Sequence, residues 1–321
     1  MEISNAVKHL CVNGTCQDFL NFIELTSSKE FEYLQDVAQT LLSMCNRVIL
    51  PFDAIDICGT GGDSSDIKTT NISTISAFVL ASMGISVAKH GGRAVSSSSG
   101  SVDFLQALGI PEIEPILSIT KYNLAFLPAQ NYHTSFKHIA PFRKQYGKRT
   151  IFNLLGPLIN PATISHQMVG VSFASKNMED YAKVLHHLGR KKVAVVQSDN
   201  TFDELLSFKT NVIVQIIDGK VHRGKLDISS FNFETLNYND TNNPIFGKSP
   251  RENAQNTIKF FENPKNGVLQ DTIALNCAVA GMIFGKVINL KDGVDFAKSV
   301  IASRKPMELL STMQKHKENN S

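Results

Sequence analysis

Ala54-Ile55-Asp56-Ile57-Cys58 runs without a break into Gly59-Thr60-Gly61-Gly62-Asp63. A short apolar run bounded by glycines reads as a buried strand ending in a turn. The three glycines permit positive φ and close approach of the main chain. Such a turn can aim several N–H groups at one point, a nest suited to a phosphate. It is neither G-x-G-x-x-G nor G-x-x-x-x-G-K-[ST], so the two common nucleotide fingerprints are absent. Taken alone, it is either a bare glycine turn or an anion nest.

The pattern then repeats. Thr69–Met83 reads as a helix, with Thr70 or Asn71 near its start and Gly84 after its end. Ile85–Lys89 is a second strand, running into the basic loop Lys89-His90-Gly91-Gly92-Arg93. The hydroxyl-rich stretch Ser96–Ser101 follows, and Val102-Asp103 opens another helix. Further strands are expected at Gln167–Phe173, Lys192–Gln197 and Asn211–Ile217, with a helix at Met178–Leu188. Strands alternating with helices argue for an α/β domain with a central, mostly parallel sheet flanked by helices. Residues 1–50 differ. Phe31, Leu34, Val37, Ala38, Leu41, Leu42 and Cys45 share one helical face, Ser27 and Ser28 stand where a cap belongs, and Pro51 closes the segment. The tail from Pro250 is mostly helical. The expected organisation is a small, shortened all-helical domain over 1–50, joined by a later helical segment near 110–145, and a large α/β domain over 51–321.

Composition excludes several classes. Hydrophobic residues are 42% of 321, enough for a packed core, so the chain is neither disordered nor a small stapled scaffold. Against 29 acids stand 32 lysines and arginines, a net charge of +3, which does not describe a dedicated nucleic-acid binder. Anionic small molecules remain open, because they need only local charge and oriented amides. Cys11, Cys16, Cys45, Cys58 and Cys277 show no zinc spacing and read as reduced thiols. The longest apolar run, Ile75–Ala88, is shorter than a membrane span and is interrupted by Ser76, Ser82, Gly84 and Ser86. These features read as a soluble, cytoplasmic protein.

The loops carry the chemistry. Thr69-Thr70-Asn71-Ile72-Ser73-Thr74 opens a helix, whose N-terminus either caps itself or offers amides and partial positive charge to an anion. The serine run is either a flexible linker or a set of hydroxyls and unhindered amides. Between residues 59 and 103 the glycine loop, helix start, basic loop and serine loop together are what a multiply phosphorylated sugar would need. Asp203-Glu204 is either a solvated pair or, if the anion is a pyrophosphate, the holder of its Mg²⁺.

The combined motifs resemble the anthranilate phosphoribosyltransferase family. They are GTGGD at 59–63, NIST at 71–74, KHGGR at 89–93, SSSSGSVD at 96–103, RTIFNLLGPLINPA at 149–162 and DE at 203–204, and the resemblance covers about residues 50–305. It implies transfer of the phosphoribosyl group of phosphoribosyl pyrophosphate (PRPP) to the amino group of anthranilate, in tryptophan biosynthesis, by a homodimer without nucleic-acid or membrane partners. Carried over position by position, Gly59, Gly62, Asp63, Asn71, Ser73, Thr74 and Lys89 would cradle PRPP. The loop His90, Gly91, Gly92, Arg93, Ala94, Val95, Ser96 and Ser97 would join them, with Thr69, Ile72 and Ser101 adjoining. Ser73, Asp203 and Glu204 would hold Mg²⁺, and that metal, Lys89 and backbone amides would stabilise the charge on the leaving group, with Lys89, Asp203 and Glu204 as the catalytic residues. Arg149 would face the anthranilate carboxylate near Gly59, His90 and Gly92, and His133 either lines the acceptor tunnel or is structural. Gly92 stands where the family pattern has Asn, two extra residues separate Asp63 from Asn71, and the N-terminal helical part is shorter than the family's. Two other readings share the fold. A pyrimidine nucleoside phosphorylase needs no acidic pair, and a non-catalytic nucleic-acid-binding relative should carry a basic surface.

Overall fold

The computed structural model describes residues 2–61, 68–93 and 99–316. In chain order these form α1 (Ile3–Val12), α2 (Cys16–Ser27), α3 (Glu30–Ser43), β1 (Ile55–Gly59), α4 (Ile72–Ser82), β2 (Val87–Gly91), α5 (Ser101–Ala107), α6 (Pro115–Tyr122), β3 (Leu124–Pro128), α7 (Ala129–Tyr132) and α8 (Phe136–Tyr146). Then come β4 (His166–Gly170), α9 (Met178–His187), β5 (Lys192–Ser198), β6 (Asn211–Ile217), β7 (Lys220–Leu226), α10 (Pro250–Glu262), α11 (Val268–Phe284), α12 (Leu290–Ala302) and α13 (Lys305–Gln314). The strands make one seven-stranded sheet in the order β3-β2-β1-β4-β5-β6-β7. The first five in that order are parallel, and β6 and β7 are antiparallel additions.

Side chains alternate across a strand, so each strand feeds two cores. Ile55, Ile57, Ala194 and Val196 face one layer, built on α4, α11 and α12. Val169, Val193, Val195 and Val214 face the other, built on α9 and the N-terminal helices. α11 is buried around almost its whole circumference, as befits a central core helix. α1 packs on α3 and α8, and α3 reaches α9, so the N-terminal helices share a core with that face of the sheet. No helix among the described residues is long and apolar enough to cross a membrane.

Several expectations shift. The helix expected from Thr69 begins at Ile72, because Thr69 pairs with Phe246 as extended chain and the Thr70 N–H donates to the Ile245 carbonyl. No serine caps α3. Lys29 holds the cap position, while the Ser27 hydroxyl donates to the Glu24 carbonyl. β3 lies inside the stretch expected to be helical, and it completes the parallel part of the sheet beside β2. β7 is a mostly exposed edge strand without an apolar face to announce it. Its signal was the turn, since Asp218 and Gly219 both have positive φ, as a tight hairpin requires.

Helices α11 and α12 meet closely at Gly293, where a Cβ would lie 2.8 Å from the Ala278 Cβ. Gly293→Val should therefore lower unfolding stability by about 2–3 kcal/mol through overpacking. Urea titration checks this, and substrate affinity should be unchanged.

Candidate active site

The strand order reverses at β1. The chain steps from β1 to β2 and β3 on one side, then returns to add β4 on the other. In open α/β sheets, ligands bind beyond the strand C-termini at such a switch point. A cavity of about 610 Å³ lies there, beside the end of β1.

Two glycines let an acidic loop enter it. A Cβ on Gly59, at the end of β1, would strike the Asp203 carboxylate, and one on Gly170, at the end of β4, would strike the Asp203 main chain. Asp203 Oδ2 accepts from the Gly61 N–H at 2.7 Å, and Glu204 accepts from the Thr69 hydroxyl. The loop is fixed from behind. The Ser198 hydroxyl donates to the Glu204 carbonyl at 2.6 Å, and the Asn276 amide donates to the Leu205 carbonyl at 2.7 Å.

Strand alternation divides the next two residues. Lys89 turns toward α4 and donates to the Ile57 carbonyl at 2.7 Å and the Ser73 hydroxyl at 3.0 Å. Burial holds its ammonium below the ordinary value, opposed by the negative charge of Asp56. His90 turns the other way, and its Nδ1 pairs with the Gly156 carbonyl at 3.0 Å. Burial, with His133 nearby, pushes the His90 pKa down to about 3, so the ring is neutral and Nδ1–H is the donor. Its buried Nε2 finds no partner among the described residues, and nor does Nδ1 of His133. The two rings lie 5.4 Å apart, and His133 Nε2 pairs with the Ile159 carbonyl at 2.7 Å. Burial lowers the pKa of His133 as well.

The start of α4 settles one alternative. Asn71 occupies the cap position, yet no side chain caps the helix. The Asn71 amide instead donates to the Ser99 carbonyl at 3.1 Å, and its oxygen accepts from the Ser99 hydroxyl at 3.0 Å. The helix N-terminus and the described residues Ser99, Gly100 and Ser101 face one cavity.

The other end of the cavity is aromatic, lined by Phe136, Phe152 and His133 together with Ala129, Leu155 and Ile159. Arg143 lies here, its guanidinium 5.6 Å from the Phe152 ring centre, with burial lowering its pKa. One end thus offers amides, hydroxyls, a lysine and carboxylates. The other offers an apolar slot with Lys137 and Arg143 on its wall.

The chain was compared with known proteins. The model of the glycosyl transferase family, a/b domain, matches residues 52–306. The anthranilate phosphoribosyltransferase of Pelagibacter ubique is 36% identical over 98% of this chain and 94% of its own length. That of Endomicrobium trichonymphae is 35% identical over 91% and 85%. The chain belongs to the anthranilate phosphoribosyltransferase family. Among solved members, the Thermus thermophilus enzyme superposes with a TM-score of 0.87 at 30% identity, over 98% of this chain and 94% of that one. The Saccharomyces cerevisiae enzyme in complex with PRPP and Mg superposes at 0.81 with 25% identity, over 97% and 90%.

Against this family background, the residues read from sequence divide three ways. Gly59, Thr69, Asn71, Ile72, Ser73, Lys89, His90, Gly91, Gly92, Arg93, Ser101, Asp203 and Glu204 all line the cavity. Gly62, Asp63, Ala94, Val95, Ser96 and Ser97 lie outside the described residues. Thr74 and Arg149 form the third group. Thr74 is fully buried in α4 and does not line the cavity, and Arg149 is exposed outside it, with Glu30 among its charged neighbours. Besides Arg93, Arg143 lines the cavity, a residue the sequence reading did not single out. Its signal was helical spacing, since Phe136, Ala140 and Arg143 recur on one face of α8. His133, left between two readings, lines the cavity.

Gly170→Ala should displace the acidic loop, because a Cβ there overlaps the Asp203 main chain. A shift of about 1 Å in catalytic groups can cost on the order of 10²-fold in rate. Steady-state kinetics should show a loss of that order in kcat while circular dichroism stays native.

Proposed function

We propose that the chain transfers the phosphoribosyl group of PRPP to the amino nitrogen of anthranilate and releases pyrophosphate. One observation carries the reading: a single cavity joins a phosphate-type end to an aromatic end that bears an arginine. Cations, amides and hydroxyls suit the phosphates, while the slot suits a flat ring with a carboxylate.

An aromatic amine is neutral near pH 7 and attacks C1 of the ribose directly. The N–C1 bond forms as the C1–O bond to pyrophosphate breaks, the electron pair leaves with the oxygen, and the ammonium so formed loses one proton to the released pyrophosphate or to water. The protein's task is to stabilise charge on that leaving group and to align the two reactants. Lys89 and the α4 N-terminus supply fixed positive charge at the phosphate end. Ser73, Asp203 and Glu204 offer hard oxygen donors in the same cavity, a set suited to Mg²⁺ completed by phosphate oxygens and water. When bound there, Mg²⁺ would neutralise pyrophosphate charge. The described residues hold no cluster of three or more His, Cys, Asp or Glu, which fits a metal held partly by substrate.

His90 supports the acceptor end. A pKa near 3 makes it a poor base, so its Nε2 serves to accept an N–H of the amine and orient it. Gly92 leaves room, since a Cβ there would meet nothing within 4 Å. We assign the acceptor carboxylate to Arg143 instead of Arg149. The acidic pair standing in the cavity favours the transferase over a phosphorylase. The same reading carries a homodimer, for which the exposed Val12, Leu20 and Leu25 of α1 and α2 offer apolar surface. It also carries a cytoplasmic location, consistent with five free cysteines.

The direct test is loss of anthranilate fluorescence with PRPP and Mg²⁺, each component omitted in turn; turnover that survives omission of PRPP would sink the proposal. Arg143→Ala should raise KM for anthranilate by about 10–100-fold, the worth of a charge-assisted hydrogen bond, with little change for PRPP. Arg149→Ala should leave both constants within about twofold of wild type, the range expected of an exposed charge.

A further inference from the structure

Asn253 sits in the first turn of α10 and is 1% exposed. The helix does not need it as a cap. Ser249 and Glu252 already form a reciprocal capping box. A buried amide in that position must spend its hydrogen bonds elsewhere. Asn253 Oδ1 accepts from the Lys248 N–H at 2.8 Å, and Nδ2 donates to Asn71 Oδ1 at 3.1 Å.

That second bond decides how Asn71 faces. An amide side chain can present its two ends either way round, and its neighbours choose. Asn253 Nδ2 and the Ser99 hydroxyl both donate to Asn71 Oδ1, which turns Asn71 Nδ2 toward the Ser99 carbonyl. Reversing Asn71 would set its oxygen against that carbonyl and its Nδ2 against Asn253 Nδ2, breaking both of those bonds. Ser99 and Ser101 line the cavity on the phosphate side, and α10 packs on α5, which Ser101 opens. The chain before α10 holds the same region, since the Thr70 N–H donates to Ile245 and the Gly247 N–H donates to the Lys68 carbonyl.

We infer that Asn253 is a positioning residue for PRPP. From outside the cavity it fixes the orientation of Asn71 and so docks Ser99 against the start of α4. This role rests on the function proposed above. It touches no substrate and should leave the acceptor end unaffected.

Asn253→Asp is the informative change, because it keeps the acceptor for Lys248 and replaces only the donor facing Asn71. It should raise KM for PRPP about tenfold, the worth of one buried hydrogen bond, and leave KM for anthranilate within twofold. Asn253→Ala should do the same if the aspartate variant fails to fold. In an Asn71→Ala background Asn253→Ala should add nothing, because the route through Asn71 is already cut. PRPP constants within twofold of wild type, equal losses for both substrates, or additive losses in the double variant would overturn the inference. Calorimetric titration with Mg²⁺ and pyrophosphate, expected to weaken about tenfold in Asn253→Asp, decides the point separately. If the wild-type chain shows no turnover, the proposed function fails while this titration still judges Asn253.

Discussion

The site depends on one steric condition, the bareness of two strand ends. Gly59 and Gly170 end neighbouring parallel strands in register, and the Asp203 loop lies directly against both. A side chain on either would push the carboxylates away from the glycine turn and from Lys89. The consequences run outward. Asp203 ties down Gly61, Glu204 ties down Thr69, and Thr69 is in turn paired with Phe246. A void the width of a methyl group thus lets loops distant in sequence meet at one crevice.

A second constraint is electrostatic and lies behind the cavity wall. Asp56, in β1, is wholly buried. It accepts from the Asn160 amide at 2.9 Å, the Gln167 amide at 3.1 Å and the His90 N–H at 3.3 Å. Burial pushes its carboxyl up, opposed by the Lys89 charge. Arg190 reaches the same network through Gln167 at 3.2 Å, and its pKa is pushed down to about 10, chiefly by burial. Buried charges are tolerable only when paired and hydrogen-bonded, and here they offset one another. The network also pins the main chain at His90, whose side chain lines the cavity.

Much of this was legible in the chain, for local reasons. Strand β1 and its glycine turn, the basic end of β2 and the acidic pair are contiguous patterns, and contiguous patterns survive folding. Strand periodicity even separates Lys89 from His90 onto opposite faces. Other positions were not legible locally. Arg149 stands at the head of a recognisable motif, yet it precedes the turn at 151–153 and points to solvent. Arg143 sits in a polar-looking helix, and only packing shows that one of its faces closes the cavity. Asn71 looked like a helix cap because asparagine usually caps; its side chain is taken by Ser99 and Asn253. β7 was hidden because an exposed edge strand needs no apolar side chains.

The sequence by itself determined the class of fold and the chemistry of the phosphate end. Alternating apolar runs and glycine turns obey local sterics and burial, which need no knowledge of distant neighbours. Only the tertiary structure decided that Arg143 lines the aromatic end of the cavity, that Thr74 is buried in α4, and that Asn253 reaches Asn71. Those outcomes depend on the direction of side chains between elements far apart in sequence, which sheet order and helix rotation set and no local pattern encodes.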